Sequence, residues 1–246
     1  MPPRRLRREC LYRSARRIAL TPKPTLRDWI VVLLLVLATC GFAGALAVRL
    51  FDPLLTLVAA DFGTTTAAVA VLSTAFALPF GLSQPLLGPV GDSVGKTLTI
   101  KVGIGVLALS LIGAALASSL TTLFLVRVIG GIGAGAIMPV CMAVIGDKFP
   151  IAFRQLAMSR YVGATLVGQL VGASVGGLLA EWIGWRGVIG CAAGLAVVAA
   201  IAAAAFLPKS EQPASPVRID EALQRYRLVL SNPRSFVCFG VVFVEG

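Results

Sequence analysis

"GPVGDSVGKTLTI" (Gly88–Ile100) contains the Gly-Lys-Thr with which a phosphate-binding loop usually closes. Such a loop needs Gly, four spacers and then Gly-Lys-Ser/Thr, because that count lets successive backbone N–H groups wrap an anionic phosphate. Counting back from Gly95, the required glycine falls on Val90, with Gly91 one residue too close and Gly88 two too far. A phosphate loop also follows a short buried strand of about 4 to 8 residues. The uncharged run that ends at Gly91 starts at Phe62 and is 30 residues long. The stretch therefore reads as a turn between two long apolar helices, and nucleotide binding is not expected of it.

The rest of the chain has the same character. Of 246 residues 57% are hydrophobic, and the 22 basic and 11 acidic side chains are clustered. Cutting the sequence at its charges leaves six long uncharged runs: Trp29–Val48, Phe62–Gly91, Val102–Val126, Val128–Gly146, Tyr161–Ala180 and Gly187–Pro208. Each exceeds the roughly 18 residues that mark a spanning helix, since about 20 residues at about 1.5 Å rise cross a hydrocarbon core of about 30 Å. A soluble protein of this length could not cover six helices that are apolar all round. The expected fold is an all-α integral membrane bundle of six helices, with Ser235–Val244 reading as the start of a seventh, cut off partway.

Charge sets the expected orientation. If the helices alternate direction from an inside N-terminus, 19 of the 22 Lys and Arg fall on one side, leaving Arg49, Arg127 and Arg186 on the other. Basic residues near helix ends are retained in the cytoplasm, so both ends of the bundle are expected there. The net charge of +11 then reflects this rule and attraction to anionic lipid heads, without calling for a nucleic acid. Four segments follow: a basic cytoplasmic tail (1–28), the bundle (29–208), a cytoplasmic linker (209–234) and the start of a seventh helix (235–246). The tail is Arg-rich and acid-poor, which also fits a targeting peptide. In the linker, Ile219, Ala222, Leu223, Tyr226 and Leu230 fall at helical spacing, as in an amphipathic helix lying on a membrane.

Catalytic chemistry finds little footing. The chain has no His, and Cys10, Cys40, Cys141, Cys191 and Cys238 show no metal-ligand spacing. No metal, cofactor or enzymatic activity is expected.

Read as Gly-x-x-x-Asp-x-x-Gly-Lys, the opening stretch supplies Gly88, Asp92, Gly95 and Lys96. This resembles the signature loop of the major facilitator superfamily, with Gly91, Ser93 and Thr97 departing from the pattern. Physically, Gly88 would permit close helix approach, Gly95 a positive φ, and Asp92 an acceptor for N–H groups at a facing helix terminus. Further matches follow in order. "RVIGGIGAG" places Arg127 ahead of Gly131 and Gly135, similar to the family's fourth helix. "GQLVGASVGG" sets Gly168, Gly172 and Gly176 on one helix face, followed by Gly177. It is similar to the antiporter motif of the efflux branch, with Ala173 in place of the proline; ordinary small-residue packing is the other reading. "RLFDPLLTLVAADFG" (Arg49–Gly63) and "EWIGWRG" (Glu181–Gly187) resemble the family's first and third outer turns, and Trp182 and Trp185 suit the interfacial belt.

The resemblance covers the chain from about residue 29 and corresponds to the first six-helix half of the fold. It implies a secondary transporter of the inner cell membrane, moving a small organic solute by alternating access, with efflux by proton antiport as the best single reading. Its implied partners are that solute, protons, the lipid bilayer, and a C-terminal six-helix half or a second copy of the chain. A non-transporting fragment or regulatory membrane subunit is the alternative. Ionisable groups inside the membrane are few: Arg127 and, at the outer end of the first helix, Asp52. They are expected to pair, with Asp52 titrating as the pair opens; the plainer readings are that Arg127 snorkels to the headgroups and that Asp52 only begins the outer loop. Thr39, Ser73, Thr74, Gln84, Ser110, Thr165 and Gln169 are the polar cavity candidates, a thin set suited to apolar recognition.

Overall fold

A computed structural model describes residues 26–208 and Ser231. The tail up to residue 25, the linker with its expected amphipathic helix, and the expected seventh helix lie outside the described residues. Within them the chain is helical: α1 (Leu26–Arg49), a 3₁₀ turn (Asp52–Leu54), α2 (Leu55–Asp61), α3 (Thr66–Val94), α4 (Lys96–Ala115), α5 (Leu120–Gly135), α6 (Ile137–Lys148) and α7 (Ile151–Phe206).

Among the described residues, five stretches are long and apolar enough to cross a membrane: Trp29–Asp61, Thr66–Val94, Lys96–Ala115, Leu120–Lys148 and Ile151–Phe206. The count of five differs from the six sequence runs because α7 holds two of them. Its 56 residues would extend about 84 Å as one rod, far beyond a hydrocarbon core of about 30 Å. Inside it Gly184 has φ 70° and ψ 166°, a region that essentially only glycine occupies. The chain folds back there. A methyl group on Gly41 of α1 would meet Tyr161, and the neighbouring Cys40 sulfur lies 3.9 Å from the carbonyl of Ala199, so positions 38 residues apart in α7 flank the same turn of α1.

Helix ends are set by local chemistry rather than by charges. Thr65 and Ser119 cap α3 and α5, their side-chain oxygens accepting from the N–H groups of Ala68 and Thr122. Gly95, at φ 111°, alone separates α3 from α4. The expected turn from Asp92 to Lys101 is thus one residue long, with Asp92 in the last turn of α3. Likewise the run Val102–Val126 straddles two helices, since α4 ends at Ala115 and α5 begins at Leu120. Arg127, which divides two of the uncharged runs, is the eighth residue of α5. The expected outer turn Arg49–Gly63 is mostly helical as well. Lys101 donates to the carbonyls of Leu207 (2.9 Å) and Ala204 (3.4 Å), placing a cation on the open C-terminal end of α7.

Small residues bring the backbones together. A methyl group on Gly168 would stand 2.5 Å from the Phe42 carbonyl oxygen, and one on Gly172 2.6 Å from that of Leu46. Gly131 and Gly135 press in the same way on the backbone of Phe76 and Phe80 in α3. Between them the two glycine rows dock α7 on α1 and α5 on α3. In a bilayer this close packing replaces the hydrophobic drive, since lipid tails are as apolar as leucine. Outside the rows large apolar side chains stay exposed, with Leu78, Leu82 and Leu86 of α3 at 58%, 61% and 67%. That outward apolar surface suits lipid or another apolar partner.

Candidate functional site

Arg127 is the central polar feature of the bundle. It is 1% exposed, and its Nε and Nη1 donate to the carbonyls of Leu72 and Ala47, each at 3.3 Å. Its guanidinium carbon lies 4.1 Å from the ring centre of Phe51 and 4.2 Å from that of Phe76. Nη2 has no hydrogen-bond partner among the described residues. A buried cation is costly unless compensated. Here two carbonyls and two ring faces do so, a desolvated cation–π contact contributing about 2 kcal/mol.

The expected Asp52–Arg127 ion pair is not formed. Asp52 accepts from the Ser73 hydroxyl at 3.1 Å and faces Nη1 of Arg49 at 3.6 Å. It remains within electrostatic reach of Arg127. The difference is geometric: the 3₁₀ turn starting at Asp52 puts the neighbouring Phe51 ring, not the carboxylate, against the guanidinium.

Beside this centre lies a partly open cavity of ≈ 160 Å³ reached by α1, α3, α5, α6 and α7. Val48, Phe80, Ile137 and Met138 give it apolar walls, while Arg49, Thr165 and Gln169 supply polar groups. A second, wider cleft of ≈ 430 Å³ is lined by Arg49, Asp52, Ser73 and Thr74. Arg49 and Val48 border both. Of the polar candidates, Thr165 and Gln169 reach the first cavity and Ser73 and Thr74 the second. Thr39 and Ser110 instead bond to backbone carbonyls of Leu35 and Val126, and Gln84, half-buried in α3, borders neither.

At the Gly95 turn, Lys96 bridges Asp147 of α6 (2.6 Å) and Asp92 of α3 (3.4 Å). Asp92 thus pairs with a lysine rather than capping a helix. Nothing lies within 4 Å of where a Gly88 side chain would begin, so that glycine is not needed for close approach. The tight glycine is Gly91, where a methyl group would stand 3.2 Å from Val140. Methyl groups on Gly176 and Gly177 would stand 3.3 and 3.1 Å from Leu50 and Pro53.

A second clamp went unread in the sequence. Arg186 pairs with Asp61 at 2.6 Å, donates to the carbonyl of Ala117 at 3.1 Å and stacks 4.2 Å from the ring centre of Trp185. Trp185 is accordingly buried against Phe62, and of the two tryptophans only Trp182, 87% exposed, is placed like a belt residue. The signal was available: with few charges at this end, an acid and a base there had each other as partners.

The sequence profile of the Major Facilitator Superfamily matches residues 37–245. The chain belongs to this family. It is 30% identical over 63% of its length to an uncharacterised MFS-type transporter, YwfA, of Bacillus subtilis. It is 30% identical over 62% to a triacylglyceride transporter of Mycolicibacterium smegmatis and 32% identical over 55% to the quinolone resistance protein NorA of Staphylococcus aureus. The matched part spans 38%, 27% and 35% of those three relatives. Membership makes this a multi-pass membrane protein of a transporter family, and the glycine rows, Arg127 and the Gly95 turn are parts of a major-facilitator bundle.

Proposed function

We propose that the chain forms a six-crossing bundle of a secondary active transporter, with its N-terminus in the cytoplasm, that exports a small organic solute by alternating access in exchange for protons. The observation that carries this reading is the partly open cavity among five helices of a membrane bundle, with apolar walls and a few polar groups. Such a site is the expected form of a small-molecule pocket. Its opening would face a second six-helix bundle, either a C-terminal half or another copy of the chain, so that rocking of the two exposes the site to each side in turn. The Lys96 clamp would hold one access state from the cytoplasmic side, and the glycine rows would move as rigid pairs. Proton coupling would run through Asp52, whose charge contact with Arg49 is lost when the carboxylate takes up a proton.

Proteoliposomes carrying the protein and an imposed pH gradient test this. A panel of labelled neutral, anionic and cationic aromatic solutes is offered, and at least one is expected to accumulate above its equilibrium level and to be released by a protonophore. Uptake equal to that of protein-free liposomes for every solute would contradict the reading.

A further inference from the structure

We infer that the solute this cavity recognises is a small apolar carboxylate, and that Arg49 is the residue that selects it. The inference rests on the transport reading for its biological meaning, but its chemistry stands on the cavity alone. Arg49 is the one charged residue lining the 160 Å³ cavity among the described residues. The remaining walls, Val48, Phe80, Ile137 and Met138, offer apolar surface, with Thr165 and Gln169 as neutral hydrogen-bonding groups. A body of one or two fused rings with a single charged end fits that volume and lining.

The sign of the charge follows from the neighbours. Arg49 meets Asp52 at 3.6 Å through one nitrogen, and its guanidinium makes no hydrogen bond to any described residue. Asp52 is already engaged by Ser73 and lies within reach of the second cation, Arg127. Two arginines thus share one carboxylate, and that carboxylate lines the outer cleft but not the inner cavity. The balance at the mouth is a net positive charge next to an apolar chamber. A guanidinium carries five N–H donors, and the fork presented to a carboxylate makes two parallel, charge-assisted bonds. With both partners about half exposed, at 55% and 41%, the Arg49–Asp52 contact is a weak one that an incoming carboxylate can displace. A cationic solute would meet the same arginine with no acid on the cavity wall to offset it.

Equilibrium binding of labelled 2-naphthoate to the purified full chain in lipid nanodiscs, with no gradient, tests the inference. Naphthoate is expected to bind saturably, and 2-naphthamide and 2-naphthylmethylammonium to compete at least tenfold more weakly. Arg49→Gln should bring naphthoate to within about twofold of the amide, weakening naphthoate far more than the amide, and Arg49→Lys should keep part of the preference. Asp52→Asn, which frees Arg49, should tighten naphthoate severalfold and the amide not at all; an arginine serving only to hold Asp52 would show no such gain. Equal competition by the amide or the amine, absence of saturable naphthoate binding, or an undiminished preference in Arg49→Gln would each overturn it. A binding preference without gradient-driven uptake would sink the transport reading and leave this one standing, and uptake of uncharged or cationic solutes alone would do the reverse.

Discussion

The guanidinium of Arg127 lies against the ring of Phe51, 4.1 Å from its centre, while the carboxylate of the next residue, Asp52, is held by Ser73 and faces Arg49 instead. One step along the chain separates an aromatic partner from an acidic one, and the aromatic residue has the buried position. Two carbonyl acceptors and a second ring, Phe76, complete a planar slot.

That slot fits a guanidinium and not an ammonium. Arg127→Lys keeps the charge but cannot reach both carbonyls while lying flat between two rings, so it is expected to lose about 2 kcal/mol of stability, close to the loss in Arg127→Gln. Thermal melting in detergent reads this. A lysine variant that melts with the wild type would show that charge alone matters.

The glycines divide into those that carry a contact and those that do not. Gly168→Ala and Gly131→Ala place a methyl group against the backbone of Phe42 and Phe76 and should cost about 1 to 3 kcal/mol by overpacking. Gly88→Ala, with open space around it in α3, should be neutral or gain up to about 1 kcal/mol from helix propensity. Melting all three side by side checks the division, and equal losses would contradict it.

Gly184 makes its turn with φ 70° and ψ 166°, and a methyl group there would have open space around it. The constraint there is on the backbone, not on space. Gly184→Ala should destabilise by about 1 to 3 kcal/mol, and Gly184→Asn should not rescue it, because asparagine tolerates the left-handed helical region but not this one. Rescue by asparagine would mean that the turn relaxes to another geometry.

Lys96 and Asp147 are partly exposed, at 21% and 51%, so their pair is a modest one. A double-mutant cycle with Lys96→Met and Asp147→Asn should give a coupling of about 0.2 to 1 kcal/mol that shrinks as salt rises toward about 1 M. A larger, salt-independent coupling would mark a buried, dry clamp.

The membrane class, the glycine rows and the Gly95 turn were legible because each rests on a local rule: run length, a four-residue spacing, a positive φ. Helix ends were less so. Lys101 and Arg127 sit inside helices, where a reading cut at charges expects boundaries, because backbone carbonyls and aromatic rings compensated them in ways that no neighbouring residue in the chain announces. The site was legible in its members rather than its pairings. Arg127 and Asp52 stood out as charges near apolar runs, but which partner each takes depended on the 3₁₀ turn between Phe51 and Leu54. Asp61 and Arg186, 125 residues apart, meet only once α7 folds back.

Counterflow tests alternating access most directly. Proteoliposomes loaded with unlabelled solute and diluted into labelled solute should show a transient overshoot of label above its equilibrium level, since each outward trip returns the binding site to the outer face. A smooth approach to equilibrium with no overshoot, as through a pore, would contradict the account.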